Sequence, residues 1–344
     1  MKISKKILYI ILPIILLLFL SVTAFQSMIV KAENNEQVYL GGQPIGLLLR
    51  CKGAIVSEFK DIVTPDGSCN PARDAGVMIG DNIIMAGNIS INSPENLIKL
   101  LSNLSATQEN ITLKISRLNK QIEIVVKPKL DIVTNTLKLG IMVRNELTGI
   151  GTLTFVTADG LRFAGLGHRV FDGSSLTSNN YNEGHIYTAE IIDSVKGQIG
   201  VPGELRGTFN SSSIKSGKLD KNEWYGVYGD SKTILHSGRP KIKLASKNSV
   251  KRGTAYIYTT IEGKIPEKYE INIVKTMQQE TPGEKGMVIK VTDKRLINKT
   301  GGILQGMSGS PIVQDGLLIG AVTHVFLNDP TLGFGIYIDW MLNH

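Results

Sequence analysis

Residues 138–344 alternate between short apolar segments and clusters of turn-forming residues. The chain has 36 glycines, which favour turn-rich β structure over helical bundles. Many short strands at this spacing predict a sandwich or a barrel, so we expect a mostly β protein. The candidate strands are Gly151–Val156, His185–Asp193, Thr254–Ile261, Tyr269–Thr276 and Met287–Val291.

A run without any charge, residues 7–30, follows three lysines at the amino terminus. As a helix it is long enough to span a bilayer core of about 30 Å, and the lysines should remain in the cytoplasm. We therefore expect residues 1–30 to form a cytoplasmic stub and a transmembrane anchor, with the rest of the chain outside the cytoplasm. A cleaved signal peptide is the alternative, because Val22-Thr-Ala24 is a passable cleavage site.

Residues 37–128 are predicted to form a first folded unit, after a polar linker at residues 31–36. A serine, a proline and leucines at helical spacing predict a helix from about Pro94 to Leu101. The segments Ile111–Arg117 and Gln121–Lys127 alternate with period two, which predicts a hairpin of half-buried strands.

The segment Ala75–Ile84 resembles the Ala-Gly-x-x-x-Gly-Asp-x-Ile signature of PDZ domains, so a PDZ-like fold is predicted for this unit. Gly41-Gly-Gln-Pro-Ile-Gly46 stands where such a domain has its glycine-rich carboxylate-binding loop. In this interpretation a peptide carboxylate binds to backbone N–H groups, beside the free edge of strand Ile45–Arg50. The predicted peptide-binding residues are Gly41, Gly42, Ile45 and Gly46. The alternative is that the signature glycines and aspartate serve only the fold.

The segment Gly306-Met-Ser-Gly-Ser-Pro311 resembles the Gly-x-Ser-Gly-Gly-Pro turn around the nucleophile of trypsin-like proteases. Ser308 would lie on a sharp turn that glycines permit. The N–H groups of Gly306 and Ser308 could then converge on one point and form an oxyanion hole. A plain β-turn rich in Gly and Ser is the alternative.

A serine hydroxyl needs a base to become nucleophilic near neutral pH, and His168 is the candidate. It precedes Ser308, in the chain order that trypsin-like proteases use. His324 lies within an apolar strand and is interpreted as a packed histidine. The other histidines, outside any motif, are His185, His236 and His344. A carboxylate should orient the base, but spacing leaves three candidates open: Asp172, Asp193 and Asp293.

With both halves in view, the chain resembles the stage IV sporulation protein B family, the PDZ-containing serine peptidases of spore-forming bacteria. The most specific stretches are Gly149–Phe155, Gly165–His168, Thr292–Leu296 and Gly301–His324. The resemblance implies a trypsin-like double β-barrel for residues 138–344. It also implies that Ser308 is the nucleophile, His168 the base and Asp293 the third catalytic residue.

The resemblance further implies a role in sporulation signalling. Family members act between the two membranes around the forespore, where they are thought to cut themselves. They are then thought to cut a regulatory membrane protein that silences an intramembrane metalloprotease, which matures a sigma factor. The expected partners are therefore the chain itself, a protein substrate at a membrane, and a peptide, either a C-terminus or an internal segment, in the PDZ groove.

Other classes find less support in the sequence. The formal net charge is +8, but the basic residues are spread along the chain, so we expect no nucleic-acid partner. Neither C-x-x-C nor H-E-x-x-H occurs, so no metal and no cofactor is predicted. The two cysteines, Cys51 and Cys69, could form a disulfide or remain thiols. The alternatives to a signalling peptidase are a non-catalytic, membrane-tethered PDZ scaffold and a general quality-control protease.

Overall fold

The computed structural model describes residues 36–104, 110–118, 120–170 and 181–342, which are mostly β structure. The strands are β1 (Gln37–Leu40), β2 (Pro44–Phe59), β3 (Ile62–Thr64), β4 (Gly67–Cys69), β5 (Asn82–Ala86), β6 (Ile89–Ser90), β7 (Ile111–Arg117), β8 (Lys120–Val126), β9 (Lys129–Asp131), β10 (Thr136–Lys138), β11 (Ile141–Thr157), β12 (Arg162–Gly165), β13 (Tyr181–Thr188), β14 (Glu190–Val195), β15 (Glu204–Thr208), β16 (Gly217–Glu223), β17 (Gly226–Ser231), β18 (Lys241–Leu244), β19 (Gly253–Thr259), β20 (Glu267–Thr276), β21 (Met287–Val291), β22 (Pro311–Gln314), β23 (Leu317–Phe326) and β24 (Asp329–Tyr337). The helices are α1 (Pro71–Asp74), α2 (Pro94–Ser102), α3 (Lys294–Thr300) and α4 (Ile338–Leu342), with short 3-10 helices at Thr233–Leu235 and Lys247–Ser249.

Six strands close into an amino-terminal barrel. The ring runs β2, β11, β12, β17, β16 and β13, and β13 returns to pair with β2. Every one of these pairings is antiparallel, so alternate side chains point inward and fill the barrel. Its core includes Ile45, Leu49, Leu153, Phe163 and Ile186.

A second ring of six strands forms a carboxy-terminal barrel. Here β19, β20, β21, β24, β23 and β22 pair in turn, and β22 returns to β19. Its core includes Ile257, Ile271, Ile289, Ile312 and Val322. The prediction of a mostly β chain with a closed barrel is therefore confirmed.

The strand β1 joins the two barrels. It pairs with β11 of the amino-terminal barrel and with β18, which in turn pairs in parallel with β23 of the carboxy-terminal barrel. A separate cluster of buried side chains, including Leu40, Phe155, Leu244, Leu318 and Ile336, fills this junction. The two barrels therefore share a packed interface, and a site built from loops of both can be rigid.

The long strands β2 and β11 also carry a third unit, residues 52–144, which we call the small unit. The barrel pairing ends at Arg50 opposite Glu146 and resumes at Ile55 opposite Arg144, so several residues of β2 bulge where the chain leaves the barrel. Beyond the bulge, β2 pairs with β5, β5 with β7, and β7 with β8, and α2 packs on this sheet. The predicted helix and hairpin correspond to α2, β7 and β8.

The boundary of this unit differs from the predicted one. Residues 37–50 do not belong to it, because β1 joins the two barrels and the first half of β2 is a strand of the amino-terminal barrel. Residues 129–144 do belong to it, because Leu139 is buried in its core and β11 begins beside β2. The small unit is therefore an insertion between two barrel strands, and the division at 37–128 and 138–344 is corrected accordingly.

Two further expectations concern the anchor and the cysteines. Residues 1–35, which include the predicted anchor, lie outside the described residues. No helix in the described ranges has the length and apolar character needed to cross a membrane. Cys51 is buried in β2 and Cys69 lies in β4, and the two are not joined by a disulfide.

Candidate active site

Ser308 lies on a tight turn that leads into β22 of the carboxy-terminal barrel. Gly306 and Gly309, on either side of Ser308, have φ values of +95° and +93°, which L side chains rarely adopt. A Cβ at position 309 would overlap the carbonyl oxygen of Thr152 and the backbone of Leu166. The glycines are therefore needed both for the turn and for its close approach to the amino-terminal barrel.

The turn is bonded to that barrel through Thr152. The backbone N–H of Thr152 donates to the carbonyl oxygen of Ser308 at 3.1 Å. The Thr152 hydroxyl donates to the carbonyl oxygen of Gly306 at 2.8 Å. The Ser308 hydroxyl itself donates to the carbonyl oxygen of Thr323 at 2.7 Å. In the part of the chain that the structure describes, the N–H groups of Gly306 and Ser308 donate to no acceptor.

His168 follows β12 on a loop that two left-handed residues redirect. Leu166 and Gly167 both have φ of +66°, and a Cβ at 167 would lie 3.0 Å from Cγ2 of Thr323. The loop is held from the other side by the buried Asn222, whose amide bonds both the N–H and the C=O of Val170. Thr323 therefore contacts both segments: Gly167, the residue before His168, lies beside its methyl group, and the Ser308 hydroxyl bonds its carbonyl.

The His168 ring is held in one tautomer by its own backbone. Its Nδ1 lies 2.8 Å from the carbonyl oxygen of Arg169. A carbonyl oxygen can only accept, so we assign the proton to Nδ1, which leaves Nε2 as the basic nitrogen. Burial lowers the pKa of His168, and the Arg169 carbonyl opposes that shift only in part. The ring is therefore neutral at pH 7, as a general base must be.

A second histidine lies against the first. The rings of His168 and His324 have centroids 5.2 Å apart and planes tilted by 36°. Burial, His168 and Lys285 together lower the pKa of His324 to about 4, so this ring is also neutral at pH 7. The interpretation of His324 as a packed residue is corrected, because 41% of its side chain is exposed and it lines the same cleft as His168.

Glu284 is the acidic residue of this cleft. It lies in the irregular segment between β20 and β21, which Thr323 holds by donating its hydroxyl to the Glu284 carbonyl at 2.9 Å. Oε2 of Glu284 is 3.7 Å from Nε2 of His324. Burial raises the pKa of Glu284, while the charges of Arg169 and Lys285 oppose that rise. Sequence reasoning missed Glu284, since no motif surrounds it.

The cleft has a volume of about 500 Å³ and draws its walls from both barrels. Trp224 closes one side, with the guanidinium of Arg169 lying 3.6 Å from its ring centroid. The lining also includes Thr148, Ile150, His168, Glu284 and His324. Such a mixture of apolar walls and a few convergent polar groups is typical of a substrate cleft.

The structure places two of the candidate aspartates, Asp293 and Asp193, away from His168. Asp293 is the N-cap of α3: it accepts from the N–H of Arg295 at 2.9 Å and pairs with the Arg295 guanidinium. Those contacts, and not His168, engage its carboxylate. Asp193 is exposed on β14, 4.0 Å from Arg206. Asp172 lies outside the described residues.

The predicted carboxylate loop near β1 is wrong. The N–H groups of Gly41 and Gly42 donate to the carbonyl oxygens of Thr154 and Leu153, so they are not available to a ligand. Ile45 is fully buried and pairs on both sides, with β11 and with β13, so this strand has no free edge. Gly46 lies directly against the ring of Phe209. These glycines serve close packing within the barrel.

The small unit has a different groove, of about 480 Å³, between α2 and the segment 138–143. Gly140 has φ of +80°, and in the described ranges the N–H groups of Leu139 and Gly140 donate to no acceptor. Apolar side chains of Ile98, Leu101 and other residues line the groove, and Lys60 lies at its wall. The loop has the sequence Leu139-Gly-Ile141 and comes near the end of the unit, not at its start.

The glycine-rich turn at Ser308 and the neutral His168 lie on different barrels near their junction, an arrangement that suits a serine peptidase. The model of the SpoIVB peptidase S55 family matches residues 135–342. The chain therefore belongs to the SpoIVB peptidase S55 family and is a serine endopeptidase.

Comparison with individual proteins adds distant likenesses. No curated protein matches the chain. Among solved structures, the Rv3671c protease in its inactive form is similar at a TM-score of 0.32 and 13% identity, over 55% of this chain and 79% of that one. The active form, from M. tuberculosis, is similar at a TM-score of 0.31 and 13% identity, over 57% of this chain and 71% of that one.

Proposed function

We propose that Ser308 is the nucleophile of this peptidase and that Nε2 of His168 is its general base. The observation that carries the assignment is that Thr323 contacts both segments, because its carbonyl accepts from the Ser308 hydroxyl and its methyl group lies beside Gly167, next to His168. The Arg169 carbonyl already sets the His168 tautomer. The Ser308 hydroxyl now donates to Thr323. Rotation about its Cα–Cβ bond would redirect that hydrogen towards the base.

The reaction then follows the usual course for a serine peptidase. Ser308 Oγ attacks the scissile carbonyl carbon while its proton passes to His168 Nε2. The N–H groups of Gly306 and Ser308, which have no acceptor among the described residues, are the groups on this turn that can stabilise the resulting oxyanion. His168 then gives its proton to the leaving amine, and water repeats the sequence to release the acyl product.

The substrates we propose follow from the family. They are the chain itself and a regulatory membrane protein of the sporulation signalling route, whose cleavage releases an intramembrane metalloprotease that processes a pro-sigma factor. The uncharged run at residues 7–30 supports a membrane anchor, with the barrels outside the cytoplasm in the forespore intermembrane space. An anchor would keep the cleft near substrates in the same membrane.

The experiment that tests the assignment uses the full-length protein and a fluorophosphonate, which labels an activated serine without knowledge of the substrate. We expect labelling of wild type and of Ser310→Ala, and none of Ser308→Ala. Ser310 is the matched control, because its buried hydroxyl has no hydrogen-bond partner among the described residues. His168→Ala should also lose labelling, and self-cleavage should be lost in the same variants. Folded wild type that is not labelled would favour a non-catalytic scaffold.

We also propose that the small unit is PDZ-like and binds a peptide carboxylate at Leu139 and Gly140. Three observations support the proposal: the loop's N–H groups have no acceptor in the described ranges, Gly140 is left-handed, and an apolar groove lies beside α2. Lys60 would add a positive charge at the groove wall. A fluorescent peptide ending in a free valine should bind more tightly than the same peptide with an amidated end. Equal affinities would remove the carboxylate from the proposal.

A further inference from the structure

Among the described residues no carboxylate bonds the ring of His168, which is an unusual surrounding for the base of a serine peptidase. Nδ1 of His168 is bonded to a backbone carbonyl, which fixes the tautomer but carries no full charge. When Ser308 gives up its proton, His168 becomes an imidazolium in a desolvated site. Such a cation is costly unless a negative charge lies nearby.

Among the described residues that line the cleft, the acidic one is Glu284. The ring of His324 lies between the Glu284 carboxylate and the His168 ring. Its Nε2 is 3.7 Å from Oε2 of Glu284, and its centroid is 5.2 Å from the centroid of His168. In the part of the chain that the structure describes, the other charged groups that act on Glu284 and His324 are Arg169 and Lys285, both cationic. They favour the ionised form of Glu284, so the carboxylate is the group that can balance a charge on His168.

The resting site also leaves one nitrogen of His324 unsatisfied. Nδ1 is buried and has no hydrogen-bond partner among the described residues, while Nε2 faces Glu284. A proton on Nε2 is the arrangement that suits the carboxylate, and it leaves a lone pair on Nδ1. A buried polar atom without a partner needs an explanation, and a charge that forms only during the reaction supplies one.

We infer that Glu284 and His324 form a charge-balancing pair that stabilises the His168 imidazolium during catalysis. Both are positioning residues, since they act through His168 and touch neither Ser308 nor the scissile bond in this inference. Glu284 orients the His324 ring, and the ring transmits the carboxylate's field to the base. This inference rests on the proposed roles of Ser308 and His168. It assigns to Glu284 the role that the family resemblance gives to Asp293, whose carboxylate is engaged by α3 and Arg295.

The test compares Glu284→Gln with Glu280→Gln in the full-length protein. Glu280 is an exposed carboxylate of the same irregular segment and does not line the cleft, so it is a matched control. The rate of fluorophosphonate labelling is measured from pH 4 to pH 9, with the unfolding temperature recorded for each variant. Glu284→Asp keeps the charge, and His324→Gln removes the intervening ring.

We expect Glu284→Gln to lower the plateau rate by about tenfold, within the range for impaired general-base catalysis, and to move the acid limb to lower pH. The limb moves down because loss of a nearby negative charge makes His168 easier to deprotonate. Glu284→Asp should keep the limb where wild type has it. His324→Gln should resemble Glu284→Gln, and the double variant should be no slower than either single variant, because the two residues act as one unit.

Two results would overturn the inference. One is a Glu284→Gln profile that coincides with that of Glu280→Gln. The other is a lower plateau with an unmoved acid limb, which indicates a structural role alone. If wild type is not labelled at all, the proposed function fails separately. Nuclear magnetic resonance titration of ¹⁵N-labelled histidine rings then decides: the His168 pKa is lower in Glu284→Gln than in Glu280→Gln if the pair acts on it, and equal if it does not.

Discussion

The hydroxyl of Thr154 donates to the carbonyl oxygen of Gly309 at 2.8 Å, which ties the core of one barrel to the nucleophile turn of the other. Thr154 is fully buried in β11, and Gly309 follows the proposed nucleophile directly. With the two bonds from Thr152, three hydrogen bonds from one strand hold this turn. The position of Ser308 therefore depends on the interface between the barrels, and not only on its own strand.

This relationship predicts that Gly309→Ala abolishes labelling of Ser308. The new Cβ would overlap the backbone of Thr152 and Leu166, so the turn must move away from the amino-terminal barrel. Gly316→Ala is the control, because Gly316 has φ of +79° but no atom within 4 Å of a new Cβ. It should cost only about 1–2 kcal/mol of folding free energy for the left-handed backbone, and labelling should persist. Equal loss of labelling in both variants would show that close approach is not the cause.

The lowered pKa of His168 predicts the pH dependence of the reaction. Burial disfavours the imidazolium, so the ring stays neutral below pH 6.5, the usual value for histidine. The labelling rate should therefore be constant from neutral pH to below 6.5 and fall only as pH drops through the depressed pKa. A rate-against-pH profile of the wild type checks this. A midpoint at or above 6.5 would contradict a desolvated base.

The sequence predicted those features that local backbone chemistry determines. The glycines around Ser308 predict a sharp turn. The apolar periodicity of α2, β7 and β8 predicts those elements without any knowledge of what they pack against. Glu284 could not be found in this way, because the rings beside it come from distant parts of the chain: His324 from β23, and His168 from the loop after β12. The glycines at 41–46 were misassigned for the same reason. A glycine indicates that another segment packs closely against the backbone, but the sequence does not show which segment that is.

The N-cap position of Asp293 predicts a loss of stability in Asp293→Ala. Removal of the bond to the Arg295 N–H and of the ion pair should cost about 1 kcal/mol, as loss of an N-cap usually does. Ser93, at the start of α2, is the matched control, because its side chain makes no cap bond and Ser93→Ala should cost less. Urea unfolding measures both. A variant that keeps its stability but loses labelling by about a thousandfold would instead make Asp293 the third catalytic residue.

The groove of the small unit predicts that Ile98→Glu weakens peptide binding and leaves the fold intact. Ile98 lines the groove on α2 yet is 60% exposed, so a charge there meets water in the free protein and an apolar side chain in the complex. We expect the affinity for the free-valine peptide to fall by about tenfold, since the burial of one apolar side chain is lost. Ile89→Glu is the control, because Ile89 is 55% exposed on β6 and outside the groove. Fluorescence anisotropy with the full-length protein measures both, and unfolding temperatures show that each variant is folded. If Ile89→Glu weakens binding as much as Ile98→Glu, or if neither does, the peptide binds somewhere other than beside α2.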